Sequence, residues 1–596
     1  MGEARMQTGR LGGRVARRAR RARPEVAMLP ALRRNLPNCS PMDEEQVARL
    51  DNASMDTLEN VGVVFRDPVA LNDWKNAGAD VRGERVNLDR ALVRDLIRTI
   101  PATFTYHARN PAKNLPFGGP HSIFVPMTGA PFLRDLEDVR RWPAMDDLAM
   151  FHKLAQMSPA LHSSAHHIVE PMDLPVSHRH LHVTYSSMKH SDKTFMGMTT
   201  SPKKTSDVLD MCDILFGKGF LETHPVVTGN INGNSPLVWD ETMLGALRAF
   251  SRRNQPVLCS PFVLGGANTP ASVAPAVAQL NAEALSALAY TQVIRRGAPA
   301  IYGHYLSTVS MKSGAPMAGT PEISLMNFMI GQMARYYDVP WRTSNTLGGA
   351  KTFDAQAGYE SATTLSSVLH AEQCAMGYRM GEGIRWDDFD EGMAAVRDVG
   401  PGGHYLGHTH TQENFQRAFF LPELFDNNSI EQWQADGAVE ITERALAHAK
   451  KLLSEYVEPK LDEAVDEGLR DYIARREAQQ RLSLQSRHGF RSEHLVRAIR
   501  IIEENTETPL APSEISSELG ISTRQLERLF GKYLKSSPKR FIMDMRLQKA
   551  RSLIQQTDSK ISEIAMACGF SSTSHFLKVY NAQFGTTPTK HGGIFL

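Results

Sequence analysis

The chain has 596 residues, more than one hydrophobic core usually serves, so at least two domains are expected. Its 67 lysines and arginines nearly balance 65 acidic residues, the apolar fraction is 42%, and no uninterrupted apolar run is long enough to span a membrane; a membrane-spanning helix is excluded. Five cysteines (Cys39, Cys212, Cys259, Cys374, Cys568) lie far apart without a CxxC pair, which argues against a zinc site or a disulfide framework and predicts a reducing, cytoplasmic setting.

The N-terminal stretch carries Arg10, Arg14, Arg17, Arg18, Arg20, Arg21, Arg23, Arg33 and Arg34 with few acids and no following apolar core, so it is no secretory signal. Residues 1–40 are predicted to be a basic disordered tail, with nonspecific contact to a polyanion as the alternative. Glu44 to Leu58 and Leu88 to Ile100 read as amphipathic helices, with Val47, Leu50 and Leu58 on one face, and form an N-terminal helical collar.

Short apolar runs then recur at Ile123 to Val125, Ile168-Val169, Thr194 to Met198, Val226 to Ile231, Val257 to Cys259, Ile301 to Gly303 and Val339 to Arg342. The stretch Gln255 to Ile294 shows the repeating unit. A short apolar strand is closed by Ser260-Pro261, and a glycine-rich turn follows at Gly265-Gly266. Thr269 and Pro270 suit a helix cap and first helical residue, and the helix carries Val277, Leu280, Ala284 and Leu288 on one stripe. Spacings of roughly 30 to 45 residues suit the βα units of a (β/α)8 barrel, with functional groups at the C-terminal ends of strands. After a helix expected at Tyr359 to His370 the chain passes directly to Ala371 to Gly377, with no apolar run before the weak His404-Tyr405-Leu406, so a barrel short of one βα unit is expected.

Several motifs give this region a specific likeness. Phe117-Gly118-Gly119-Pro120, Thr128-Gly129-Ala130-Pro131-Phe132, His190-Ser191-Asp192-Lys193, Ser313-Gly314-Ala315-Pro316 with Gly319-Thr320-Pro321-Glu322, and Val399-Gly400-Pro401-Gly402-Gly403-His404 resemble the trimethylamine methyltransferase family. The likeness runs from about Glu44 to about Glu477. It implies a barrel passing a methyl group from an amine to the cobalt of a corrinoid on a partner protein. Pyrrolysine is absent, so the chain is similar to the branch acting on quaternary amines such as glycine betaine. A quaternary nitrogen is held by aromatic faces, for which Tyr302 and Trp341 are candidates, core packing being as good a reading of each. Asn230, Asn232, His304, Glu322 and Glu360 are polar candidates for a substrate carboxylate or for orientation; no catalytic residue is singled out.

The alternating His178, His180 and His182 suit metal ligands on a strand, but no carboxylate or Cys accompanies them at a recognised spacing. A loop or helix surface is the preferred reading, and no protein-bound metal is predicted. Cys259 reads as a small core residue rather than a nucleophile, and Gly265-Gly266 alone defines no phosphate site.

The barrel domain is expected over 41–478, its last helices at Ala445 to Arg476, with a polar linker at 479–489. Residues 490–596 are helical in pattern, opening with Ser492 capping a helix that bears Leu495, Ala498, Ile499 and Ile502. Two similar units follow, Ile515 to Leu526 and Ile564 to Phe576, each a short helix, a turn on Gly520 or Gly569, and a second helix capped by Ser522 or Ser571. Ser522 with Gln525 makes a capping box. This is a double helix-turn-helix, joined by a helix at Pro538 to Gln556. Thr523, Arg524, Gln525 and Arg528 lie opposite Leu526, Leu529 and Phe530, while Ser572, Ser574, His575 and Lys578 surround Phe576 and Leu577. Arg and Gln suit base edges, and Ser, Thr and Lys suit phosphates. Gly569-Phe570-Ser571, Tyr580 and Phe584-Gly585-Thr586-Thr587-Pro588 resemble the AraC/XylS-type DNA-binding family, which implies sequence-specific transcription regulation.

The sequence thus predicts a corrinoid-linked methyltransferase carrying a DNA-binding domain. Two alternatives stay open: a transcription factor whose barrel is a non-catalytic methylamine sensor, and a chance fusion with an inactive barrel. The expected partners are DNA, a corrinoid protein and a methylated amine, with homo-oligomerisation left open and no membrane.

Overall fold

The computed structural model of the chain describes residues 27–130, 132–134, 140–310, 316–317, 319–343, 350, 356, 370–383, 386, 389–399, 405, 407–418, 422–426, 428–488, 493–505, 509–556 and 561–588. Of the expected basic tail, residues 27–40 are not a tail. Leu32–Arg33 pairs antiparallel with His121–Ser122, and Arg34 donates to the carbonyls of His121 and Gly119. The apolar Leu32 is buried there, which gives this stretch a reason to order.

The collar begins with Glu44–Asp56, opened by a reciprocal box in which Asp43 accepts from Gln46 N (2.8 Å) and Gln46 Oε1 accepts from Asp43 N (3.0 Å). Val47, Leu50 and Leu58 are buried as expected. The collar is not purely helical, however. Val63–Arg66, Asp80–Arg82 and Arg85–Asn87 form a sheet with Val238–Asp240, too short to announce itself by alternation.

The centre is a barrel-type parallel arrangement in chain order. Isolated bridges join Ala130 to Val169, Ser163 to Thr194 and Tyr302 to Trp341. Between them Phe195–Gly197, Val227–Gly233, Val257–Gly265, Ala300–Tyr302 and Tyr305–Val309 pair in parallel. Six of the seven apolar runs fall on, or directly beside, parallel strand positions; Ile123 to Val125 does not, and follows His121–Ser122, whose pairing with Leu32–Arg33 is antiparallel. An eighth strand has its place after His370, where the chain instead forms the helix His370–Gly381; the helix expected at Tyr359 to His370 lies outside the described residues apart from His370 itself.

Two details of the repeating unit differ from expectation. The strand does not stop at Ser260-Pro261 but continues to Gly265. Pro261 falls beside the break between Tyr302 and Tyr305, where its missing N–H costs no ladder bond on that side. The helix runs Val273–Ile294 with Ser272 as its cap residue, so Thr269 and Pro270 belong to the loop, where Thr269 bridges Gly265. Val277, Leu280, Ala284 and Leu288 are all fully buried in the cluster that also holds Leu50, Trp74, Tyr302 and Ile473. That helix is buried nearly all round because collar and sheet cover opposite sides of it.

The His190 to Lys193 motif is a clasp. Lys193 Nζ donates to the carbonyls of Ala155 (2.7 Å), Ser158 (2.7 Å) and Leu161 (2.6 Å), closing the end of helix Met145–Met157. Asp192 pairs with Lys113 at 2.5 Å. Gly118 (φ +90°) is required where it stands, since a Cβ would lie 2.3 Å from the Ala102 carbonyl oxygen.

The predicted linker at 479–489 is helical through His488, as part of Glu463–His488. It lacks an apolar stripe, yet Ala, Gln, Arg, Leu and Glu are good helix formers and no Gly or Pro interrupts them. Beyond it, Glu493–Glu504 buries Leu495, Ala498, Ile499 and Ile502; Ser492, its expected cap, lies outside the described residues. The helices Pro512–Glu518, Thr523–Leu534, Pro538–Gln556, Ile561–Ala567 and Thr573–Phe584 complete an all-α domain. It has two small cores, one around Leu526, Phe530 and Ile542 and one around Leu547, Ala550, Ile554, Phe576 and Tyr580. The helix Pro538–Gln556 contributes to both.

Candidate functional site

Alternation along the strands sorts the barrel side chains. Val227, Ile231, Val257, Cys259, Val263, Tyr302 and Leu306 belong to the core shared with the helices. Thr228, Asn230, Asn232, Leu258, Ser260 and Phe262 therefore face the inside of the barrel. Gly303 shares that face, because a Cβ on it would lie 2.5 Å from both Leu258 Cδ1 and Ser260 Oγ.

This sorting divides the predicted site residues. Tyr302 points outward and is fully buried, its hydroxyl donating to Asn281 Oδ1 at 2.8 Å. Trp341 also packs outward, against Gly331 of helix Pro321–Tyr336, where a Cβ would lie 2.9 Å from the indole Cζ2. Neither ring is placed to meet a ligand inside the barrel. Glu322 is exposed in the first turn of that helix, where a carboxylate complements the dipole. Glu360 lies outside the described residues. Asn230 and Asn232 remain on the inner face, Asn232 exposed toward the mouth and Asn230 with a buried Oδ1 that has no hydrogen-bond partner among the described residues. His304 is fully buried, and burial, reinforced by the positive charge of Arg342, lowers its pKa to about 3. His152, held at 2.9 Å from Ser186 Oγ and 2.7 Å from the His166 carbonyl, is likewise lowered to about 4 by burial. Cys259 is sealed in the core, and burial pushes its thiol pKa up, as befits a packing residue.

The same alternation reveals what the apolar runs concealed. With Trp341 outward, Arg342 turns inward and its Nη1 reaches Met196 Sδ at 3.3 Å. Its Nε is buried without a hydrogen-bond partner among the described residues, and burial lowers its pKa. No carboxylate among the described residues neutralises this cation. Phe262 and Tyr305, side by side in register, stack at 4.5 Å with rings 5° from parallel. Both lie just beyond the segments Val257–Cys259 and Ile301–Gly303 that sequence reasoning took as complete strands. A charged residue closing an apolar run was the available signal for Arg342; the aromatic pair had none.

A second surface is built by the helix-turn-helix units. Gly520 (φ +68°) and Gly569 (φ +74°) make the two turns in the left-handed region. In both second helices the same burial pattern recurs, with Leu526 and Phe530 or Phe576 and Tyr580 inside. Arg524, Gln525, Arg528, Ser574, His575 and Lys578 are exposed. Gln525 is partly committed: its Oε1 accepts from Ser522 N at 2.8 Å, completing the capping box. Thr523 Oγ1 lies 3.0 Å from Ser516 Oγ and fastens the two helices together. The second unit is capped by Ser572, which accepts from His575 N, rather than by Ser571. Leu577, expected inside, is exposed, because it lies one position off the Phe576–Tyr580 stripe.

A profile for trimethylamine methyltransferase (MTTB) matches residues 10–372 and 366–481 of this chain. The chain belongs to the trimethylamine methyltransferase family. It is 38% identical over 472 residues to the glycine betaine methyltransferase of Desulfitobacterium hafniense, covering 74% of this chain and 98% of that protein. The family match breaks at 366–372, next to the place where a βα unit was expected to be missing. A helix-turn-helix domain profile matches residues 515–591. Over that end the family member is 42% identical across 109 residues to the transcriptional regulator GbdR of Pseudomonas aeruginosa, covering 18% of this chain and 30% of that one. It is 34% identical across 191 residues to the regulator ArgR of the same species, covering 30% and 55%. It is thus a methylamine:corrinoid methyltransferase-like protein carrying an AraC-type helix-turn-helix domain. Among its described residues no helix is long and apolar enough to cross a membrane.

Proposed function

We propose that the barrel demethylates a quaternary amine bearing a carboxylate, a betaine, and that the helix-turn-helix domain binds operator DNA. The observation carrying the betaine reading is Arg342, an inward cation whose buried Nε has no partner among the described residues. A partly buried cation with no carboxylate beside it among the described residues is costly, and a substrate carboxylate would supply one. Asn230 Oδ1 is unmet on the same inner face, and the outer faces of the Phe262–Tyr305 stack suit a quaternary nitrogen, which takes no hydrogen bonds. The relative that acts on glycine betaine supports the same substrate class.

In this reading a corrinoid, carried on a partner protein, would supply the electron pair that accepts the methyl group. Toward the mouth, the buried hydroxyls of Thr308 and Thr320 have no hydrogen-bond partner among the described residues and would be available to hold the partner's corrinoid. The chain's residues position the substrate: Arg342 holds the carboxylate end and the aromatic pair the ammonium end. The carbon–nitrogen bond breaks with its electrons left on nitrogen, so the tertiary amine leaves neutral and no proton need move. His304, whose pKa lies far below neutrality, is neutral throughout and adds no second cation beside Arg342.

The test mixes the purified protein with reduced cobalamin and a panel of methylated amines, following the methyl-cobalt absorbance band. Glycine betaine and related carboxylate-bearing amines are expected to react, tetramethylammonium far less. Arg342→Met is expected to lower kcat/KM for a betaine by about 100-fold, about 2.7 kcal/mol. A fall equally large for tetramethylammonium would remove Arg342 from carboxylate binding. The split family match favours a second reading, a barrel that senses the amine without turning it over. Betaine-dependent DNA binding with no methyl-cobalt band from folded protein would decide for that reading.

A further inference from the structure

His178 and His182, one helical turn apart at the start of helix Arg179–His190, both turn toward Glu477 of helix Glu463–His488. His182 Nε2 lies 2.9 Å and His178 Nε2 3.6 Å from the same oxygen, Glu477 Oε1. Ligand arms of about 2.1 Å in tetrahedral geometry place donor atoms about 3.4 Å apart, so these spacings bracket what a small transition-metal ion requires. The middle histidine of the triplet goes elsewhere: His180 Nε2 meets Asp207 at 2.8 Å, a carboxylate also held by Arg476 and Tyr472. That network fixes the two helices against each other one residue away from Glu477. His178 Nδ1 sits 3.1 Å from Ser177 Oγ, the kind of contact that sets the tautomer and turns Nε2 toward an ion. All three side chains are partly buried rather than sealed, which leaves room for a water as fourth ligand.

We infer that His178, His182 and Glu477 form a binding site for a divalent transition-metal ion, of which Zn(II) is the natural occupant. Two imidazoles and a carboxylate select zinc, nickel or cobalt over calcium and magnesium, which prefer oxygen donors throughout. The ion ties the flank of the barrel to the helix that leads into the DNA-binding domain. It lies apart from the inward-facing residues of the barrel, and the inference does not depend on methyl transfer.

The test uses the full chain, stripped with a chelator and titrated with Zn(II) in competition with a chromophoric chelator, and separately with Co(II). The expected result is one tight Zn(II) per chain and a visible Co(II) absorption of a four-coordinate site. His182→Asn, which keeps a polar group beside Glu477, and the double variant His178→Ala/His182→Ala are expected to bind about 100-fold or more weakly. Both should lose the Co(II) band while the metal-free proteins keep the wild-type circular dichroism. Metal should also slow tryptic cleavage between the two domains in the wild type but not in the variants. Equal zinc stoichiometry and affinity in wild type and His182→Asn would overturn the site, as would a folded wild-type chain that binds none. If the double variant fails to fold, Glu477→Gln, whose amide keeps the hydrogen bond but is a poor ligand, carries the same comparison.

Discussion

In the barrel one large apolar cluster runs from Val47 to Ile473, drawing residues from the collar, the sheet, the long buried helix and the last barrel helix, with two small satellites around Leu161 and Leu148. In the DNA-binding domain two separate clusters, one ending at Ile542 and the next beginning at Leu547, are each assembled from neighbours in sequence. The difference extends to function. The barrel's candidate groups are buried polar atoms left unmet on an inner face, Arg342 Nε and Asn230 Oδ1. The helical domain's candidates, such as Arg524, Arg528 and Lys578, stand in solvent above a satisfied core. A site that binds a small ion must be dry and leave its partner's place open, whereas one that binds DNA must present charge to water.

The largest test of that contrast is Phe530→Ala. It empties the centre of a small local core and is expected to cost about 3–5 kcal/mol, enough to unfold a marginal domain. Calorimetry should show the DNA-binding transition lost and the barrel transition kept; a single cooperative loss of both would mean the two regions fold as one. Next, Arg524→Ala is expected to weaken operator binding by about 1–3 kcal/mol if the side chain reads a base, with lost discrimination at one position. An equal loss on every sequence, with a shallower salt dependence, would reassign it to phosphate contact.

Acid should separate the regions too. His152 stays neutral in the folded barrel down to about 4 and His304 down to about 3. The unfolded chain takes up protons at both below about pH 6.5, so barrel stability falls as pH falls through that window, by up to about 1.4 kcal/mol per pH unit for each group, and is unaffected above it. Melting curves of His304→Gln should fall less steeply between pH 6 and 4; an unchanged slope would mean that His304 is protonated in the fold. The smallest effect is expected from Gln525→Ala, about 0.5–1 kcal/mol of domain stability through the lost capping box. Thermal melts without DNA would register it, and a change confined to operator affinity would return Gln525 to base reading.

Much of this was legible in the chain because it is local. Six of seven apolar runs mark parallel strand positions, and paired turn glycines mark both helix-turn-helix units. What failed was phase. Tyr302 and Trp341 sit on the correct strands but on the wrong face, since one residue of register moves a side chain from the ligand to the helices. Arg342 and the Phe262–Tyr305 pair occupy the face that those two do not. Glu477 was invisible as a companion of His178 and His182 because the fold brings it back from the far end of the domain. The helix through 479–488 was hidden for another reason: it has propensity without an apolar stripe, and periodicity is the signal that sequence reading weighs most.

The helix Pro538–Gln556 places Ile542 in one small core and Leu547, Ala550 and Ile554 in the other. It is therefore a ruler. Each residue along it advances about 1.5 Å and turns about 100°, so its length fixes both the separation and the angular phase of the two reading heads. We propose that an operator for this chain has its two contact sites in one helical phase of the duplex, so that moving them apart by about 5 base pairs would carry one to the opposite side. One residue inserted near Asp544 would act on the protein as that insertion acts on the DNA, leaving both heads folded and unable to read together.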